Sequence, residues 1–100
     1  MTLERLIEIM ADEESDEFLK FDRVKNKRSS RADLHAFVRM DELVPSPLGG
    51  DMVSDAKHDE IMLQVEPSDL AAVATEEVVI ELMRCGVRYD SEYESFAMFV

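Results

Sequence analysis

The stretch Gly86-Val87-Arg88-Tyr89-Asp90-Ser91-Glu92-Tyr93-Glu94-Ser95-Phe96-Ala97-Met98-Phe99-Val100 decides the fold. Val87 and Tyr89 alternate with Arg88, and Phe96, Met98 and Val100 alternate with Ala97 and Phe99, the period of two expected of a strand with one buried face. Residues directly opposite in an antiparallel pair share a face. Odd-numbered Val87 and Tyr89 therefore meet even-numbered Phe96 and Met98 only across a loop with an even number of residues. Residues 91–94 form such a loop. The spacing predicts a C-terminal hairpin whose buried face carries Val87, Tyr89, Phe96 and Met98.

Working back from the hairpin, Gly86 suits the left-handed conformation that ends a helix, and Arg84 complements the negative end of that helix dipole. Thr75 is placed to cap the helix, with Glu76 and Glu77 at its positive end and Val79, Leu82 and Met83 as its buried row. Pro67 suits a first helical turn, with Leu70 and Val73 facing the core. Residues 68–84 thus read as a helical crossover. Before it, Ile61, Leu63 and Val65 alternate with Met62 and Gln64, so residues 59–65 read as a strand beside the hairpin. Met52 and Val53 suggest a brief further strand, after the turn-rich Pro45, Pro47, Gly49 and Gly50.

At the other end, Thr2 can cap a helix with Leu3, Leu6, Ile7 and Met10 on one stripe. Ser15 sits where it can end that helix and cap a second carrying Phe18, Phe21 and Val24, although residues 17–25 fit a strand equally well. Residues 25–30 are polar and basic without apolar periodicity, which predicts a loop. Ser30 with Asp33 resembles a capping box, and Leu34, Phe37, Val38 and Asp41 then form one helical row that Pro45 brings to an end. Alternation of Leu34, Ala36, Val38 and Met40 is the strand reading; the local cap favours helix.

One hundred residues suffice for a single domain, 1–100, with its own core. The single cysteine excludes an intramolecular disulfide, and no apolar run has the length of a membrane span or the form of a signal peptide. A reducing, cytoplasmic setting without membrane association is the expectation. The net charge of -12 opposes unaided binding to nucleic acid, which rewards lysine and arginine through counterion release. The charge is segregated. Residues 1–19 hold seven acids and Arg5; residues 20–39 hold seven bases against Asp22 and Asp33; residues 40–100 hold 14 acids against Lys57, Arg84 and Arg88.

Few residues are arranged for chemistry. His58, Asp59 and Glu60 are adjacent, so their side chains diverge, and neither they nor His35 have metal-ligand spacing. The acidic run from Asp12 to Glu17 lacks the glycine turn of a calcium loop and reads as a solvated face. Cys85 falls at a helix C-terminus, where the dipole raises a thiol pKa, so it is expected to pack rather than react. No phosphate-binding loop or nucleophile elbow is present, and neither catalytic residues, metal nor cofactor are expected. The remaining candidate is the basic segment with Lys20, Arg23, Lys25, Lys27, Arg28, Arg31 and Arg39, interleaved with Phe18, Phe21 and Phe37. It can bind an acidic protein, a second copy of the chain included, contact phosphates, or pair with the chain's own acids.

The pieces Asp33-Leu34-His35-Ala36-Phe37, His58-Asp59-Glu60-Ile61, Arg84-Cys85-Gly86-Val87-Arg88-Tyr89-Asp90 and Phe96-Ala97-Met98-Phe99-Val100 resemble segments of uncharacterised small accessory proteins of tailed bacteriophages. The resemblance spans residues 33–100 and implies no catalytic residues. It implies action by binding a host protein, in the bacterial cytoplasm.

The expected architecture is α+β, with helices on one face of a small, mainly antiparallel sheet of three to four strands and a C-terminal β-hairpin. The expected function is non-enzymatic protein interaction, as a phage accessory protein that modulates a host protein or mimics nucleic acid. A nucleic-acid-binding module using residues 20–39 is the alternative. A homodimer is a further expectation. Residues 96–100 contain no charge, proline or glycine, so as an edge strand they would need cover.

Overall fold

The computed structural model describes residues 1–100 and has four helices and a four-stranded antiparallel sheet, an α+β fold. The elements run α1 (Leu3–Met10), a 3-10 turn (Phe21–Arg23), α2 (Ala32–Leu43), β1 (Val53–Lys57), β2 (Glu60–Leu63), α3 (Pro67–Val73), α4 (Glu76–Arg84), β3 (Arg88–Asp90) and β4 (Ser95–Phe99). No helix is long and apolar enough to cross a membrane.

The C-terminal hairpin has the parity its sequence predicts. Tyr89 pairs with Phe96 and Arg88 with Ala97 across residues 91–94. β2 lies on the other side of β4, with Ile61 opposite Met98. Ile61, Met98, Phe96 and Tyr89 therefore share one face, which the helices cover. Leu63, Val87, Phe96 and Met98 join Leu6, Met40, Leu70, Val79 and Leu82 in one buried cluster. Val87 is fully buried but precedes the strand proper, and Tyr89 is only half-buried because it lies at the sheet margin, its ring edge-on to Phe96 at 6.5 Å.

The strand order is β1-β2-β4-β3, which places the uncharged C-terminal strand in the interior of the sheet. Residues 96–99 thus need no cover from a second molecule, and the edge-strand ground for a homodimer is removed. The actual edges are blunted within the chain. β1 carries Asp55 and Lys57 with a register shift between Val53 and Asp55, and β3 is three residues long with two charges. On the outer face Arg88 pairs with Glu60 and lies 4.6 Å from the Phe99 ring, which helps to shield Ala97 and Met62.

Local capping follows the sequence at three of the helices. Thr2 accepts the Arg5 amide at 3.1 Å, Thr75 accepts the Val78 amide at 3.3 Å, and Pro67 opens α3. Gly86 ends α4 at φ +98, a left-handed conformation that favours glycine. Val73, expected inside, is 53% exposed because α3 turns inward the row Pro67, Leu70, Ala71 and Ala74, on which Val73 does not lie. The strand expected over 59–65 is regular only at Glu60–Leu63, and His58 and Asp59 form the β1–β2 turn.

Two expectations in the N-terminal half are corrected. Residues 15–24 form neither helix nor strand beyond the 3-10 turn. Ser15 closes a local turn by accepting the Glu17 amide, and Leu19, at φ 63, donates its N–H to Met83 O at 3.1 Å. A tertiary bond thus shapes the segment. The helix over 34–41 exists, but Ser30 does not cap it. The Arg31 amide is taken by Ser29 Oγ, Asp33 accepts the adjacent Leu34 amide, and the N-cap is Arg31. Nor is the larger apolar row buried. Ala36, Met40 and His35 face inward, and of the expected row only Phe37 is half-buried against the core, while Leu34 and Val38 face out.

Candidate functional site: the basic connection from α1 to α2

The connection over residues 11–31 is fastened to α4 and α2 at two stations. At the first, the Glu17 carboxylate lies between two arginines, accepting from Arg84 Nη2 at 2.6 Å and from Arg23 Nη1. The Arg84 guanidinium, then that of Arg23, hold this carboxyl below its ordinary value of 4.5. Arg84 Nη1 also donates to the Arg23 carbonyl at 3.3 Å. The arginine expected only to complement the α4 dipole therefore also clamps the connection.

The second station is His35, a fully buried polar side chain on α2. Its Nδ1 accepts the Arg28 backbone N–H at 3.0 Å. That bond assigns the ring proton to Nε2, which donates to Glu81 Oε2 at 2.7 Å. Arg39 Nε donates to the same oxygen at 3.0 Å. With both ring nitrogens engaged, one by a backbone amide, His35 has no free lone pair for a substrate proton. It is a structural bracket between loop, α2 and α4. Phe21 packs edge-on against it at 5.8 Å.

The seven basic residues singled out from the sequence divide into two groups. Arg23 pairs with Glu17 and Asp16; Arg28 forms two bonds to Glu42, at 2.9 and 3.2 Å, and caps the Asn26 carbonyl; Arg39 pairs with Glu81 and Glu42. The Arg28 contact lowers the Glu42 pKa, while Glu42 raises that of Arg28. These three arginines serve the chain's own architecture. Lys20, Lys25, Lys27 and Arg31 are exposed and have no carboxylate partner. Lys27 Nζ stands 5.0 Å from the Phe21 ring centroid, a contact that orients it while leaving its charge uncompensated.

Lys25 and Asn26 border a groove of about 380 Å³ whose other walls are Val24, Glu77, Ile80, Glu81 and Arg84. Its lining mixes both signs of charge, with no histidine, cysteine or hydroxyl positioned as a nucleophile. His58 is exposed in the β1–β2 turn, on a different element from His35. Cys85 is buried at the end of α4, and burial, with the nearby Glu81 charge, pushes its thiol up to about 12, against the formation of a reactive thiolate. Glu81 is the residue that sequence reasoning missed. It borders the Val79–Leu82–Met83 row, and the signal available was an acid adjoining an otherwise apolar face. Compared with family models, curated proteins and solved structures, the chain matches none of them.

Proposed function

We propose that the protein is a non-enzymatic interaction module that captures an acidic protein surface through Lys20, Lys25 and Lys27, with Arg31 at the edge of the contact. The carrying observation is the division of labour within the basic segment. Its paired arginines hold the backbone in place through Glu17, Glu42 and Glu81, leaving exposed, uncompensated cations on a braced support. A held backbone lowers the ordering cost of binding, and lysines at a rim steer encounter with an acidic patch. The acidic remainder disfavours an extended polyanion, which would meet repulsion beyond the lysine patch. The resemblance of residues 33–100 to small phage proteins makes a host protein the natural target within this reading.

Affinity capture from bacterial lysate, comparing the wild type with the Lys20→Glu/Lys25→Glu/Lys27→Glu variant, tests the proposal. The expected result is a partner that elutes with salt and is lost in the variant. Retention of that partner by the variant would overturn the lysine assignment. Tight, salt-sensitive binding of the wild type to random duplex DNA would favour the nucleic-acid module instead.

A further inference from the structure

Helix α2 leaves one face without a partner inside the chain. Its inward side carries Ala36 and Met40, with Ala32 and Leu43 half-buried. At about 100° per residue, Leu34, Val38 and Asp41 lie together on the opposite side. All three are exposed, Leu34 by 46% and Val38 by 36%, and Arg31 continues the line at the N-cap. Neither Arg31 nor Asp41 belongs to any of the molecule's ion pairs.

The spacing of these four residues reads the same from either end. Leu34 and Val38 lie two residues to either side of position 36, and Arg31 and Asp41 lie five to either side. A row of this kind is self-complementary under a two-fold axis, because antiparallel pairing sets each residue against its counterpart across the centre.

We propose that the outward face of α2 is a self-association surface and that its occupant is the α2 of a second copy of this chain, packed antiparallel. Leu34 of one copy faces Val38 of the partner subunit, and Arg31 faces Asp41 of the partner subunit, each contact occurring twice. Opposite charges at the ends and apolar residues at the centre fix register as well as orientation. In parallel packing the ends would set Arg31 against its own counterpart, and likewise Asp41. One helix of 12 residues covers less than the roughly 800 Å² per partner of a standard interface, so the dimer is weak. This surface shares only the peripheral Arg31 with the partner contact and does not include Lys20, Lys25 or Lys27, so Leu34→Glu tests self-association separately from partner capture.

Sedimentation equilibrium up to about 1 mM protein in about 0.15 M salt tests it, with circular dichroism confirming that each variant is folded. The expected result is a reversible dimer that Leu34→Glu weakens by about tenfold or more. Arg31→Asp and Asp41→Arg each weaken it severalfold, since each sets like charges opposite one another twice. The combined swap R31D/D41R restores opposite charges and brings the dissociation constant back to within about twofold of wild type. A wild type monomeric throughout, a dimer indifferent to Leu34→Glu, or a combined swap no tighter than the single variants would overturn the proposal.

Discussion

Residues 86–100, mostly strand, and residues 11–31, irregular apart from one 3-10 turn, are fastened by different forces. The hairpin is held by apolar packing, with Val87, Phe96 and Met98 buried in the main cluster and β4 paired on both sides. The connection contributes Val24 to that cluster, with Phe21 packed against it, and is otherwise tied down by Glu17, Arg28 and His35 through bonds to α4 and α2. Apolar burial responds little to salt or proton concentration, whereas a carboxylate ion pair is lost when the acid is protonated and, where part-buried as at Glu17–Arg84, is weakened by salt to a smaller degree. One chain thus has a frame insensitive to ionic conditions and a basic segment whose attachment depends on them.

The sharpest way to break the frame is Phe96→Ala. The ring is fully buried at the centre of the sheet, so its loss is expected to cost about 3–5 kcal/mol, seen as a large fall in the denaturant midpoint. A small shift would mean that the hairpin does not anchor the core. His35→Leu tests the junction between the two regions. It leaves the Arg28 N–H without its acceptor and Glu81 without one donor, for an expected cost of about 1–3 kcal/mol. Faster amide exchange at Arg28 should accompany the loss, and unchanged exchange there would contradict the bracket. Smaller again is Cys85→Ala, at about 1 kcal/mol. The thiol pKa is raised in the folded state, so its contribution is present below the ordinary 9.0 and is lost as pH rises toward about 12. Rapid thiol labelling of the folded protein at pH 7 would contradict that burial.

Smallest in global stability, and most telling for the comparison, is Glu17→Gln. It should leave the melting temperature nearly unchanged while raising proteolytic cleavage within residues 11–31. Acid should have a similar local effect. The Glu17 and Glu42 pKa values are lowered in the folded protein, so the unfolded chain binds protons first, and their contribution is present above about 4.5 and is lost as pH falls through the lowered values. Simultaneous loss of hairpin and connection in mild acid would erase the distinction between the regions.

How far each region was legible in the sequence follows from the same difference. The parity of residues 87–98, the threonine caps at Thr2 and Thr75 and the stop at Gly86 are relations between near neighbours, and each appears in the structure as expected. The row on α2 was misjudged at Leu34 and Val38, because the helix turns inward the side that carries His35, whose bonds to the Arg28 N–H and to Glu81 no local pattern announces. In the basic segment the seven residues were legible as a group but not as two. Whether an arginine is consumed depends on a carboxylate as distant in sequence as Glu81, 42 residues from Arg39.

By itself the sequence determined the α+β class, the hairpin register, the ends of the crossover helices and the segregation of charge, all consequences of side-chain period, capping chemistry and composition. Only the tertiary structure decided that β4 lies inside the sheet, that His35 and Glu17 bracket the connection, which four cations stay free, and which face of α2 looks outward. Those outcomes depend on contacts between residues far apart in the chain, where no local period constrains them and packing geometry selects among pairings of similar local propensity.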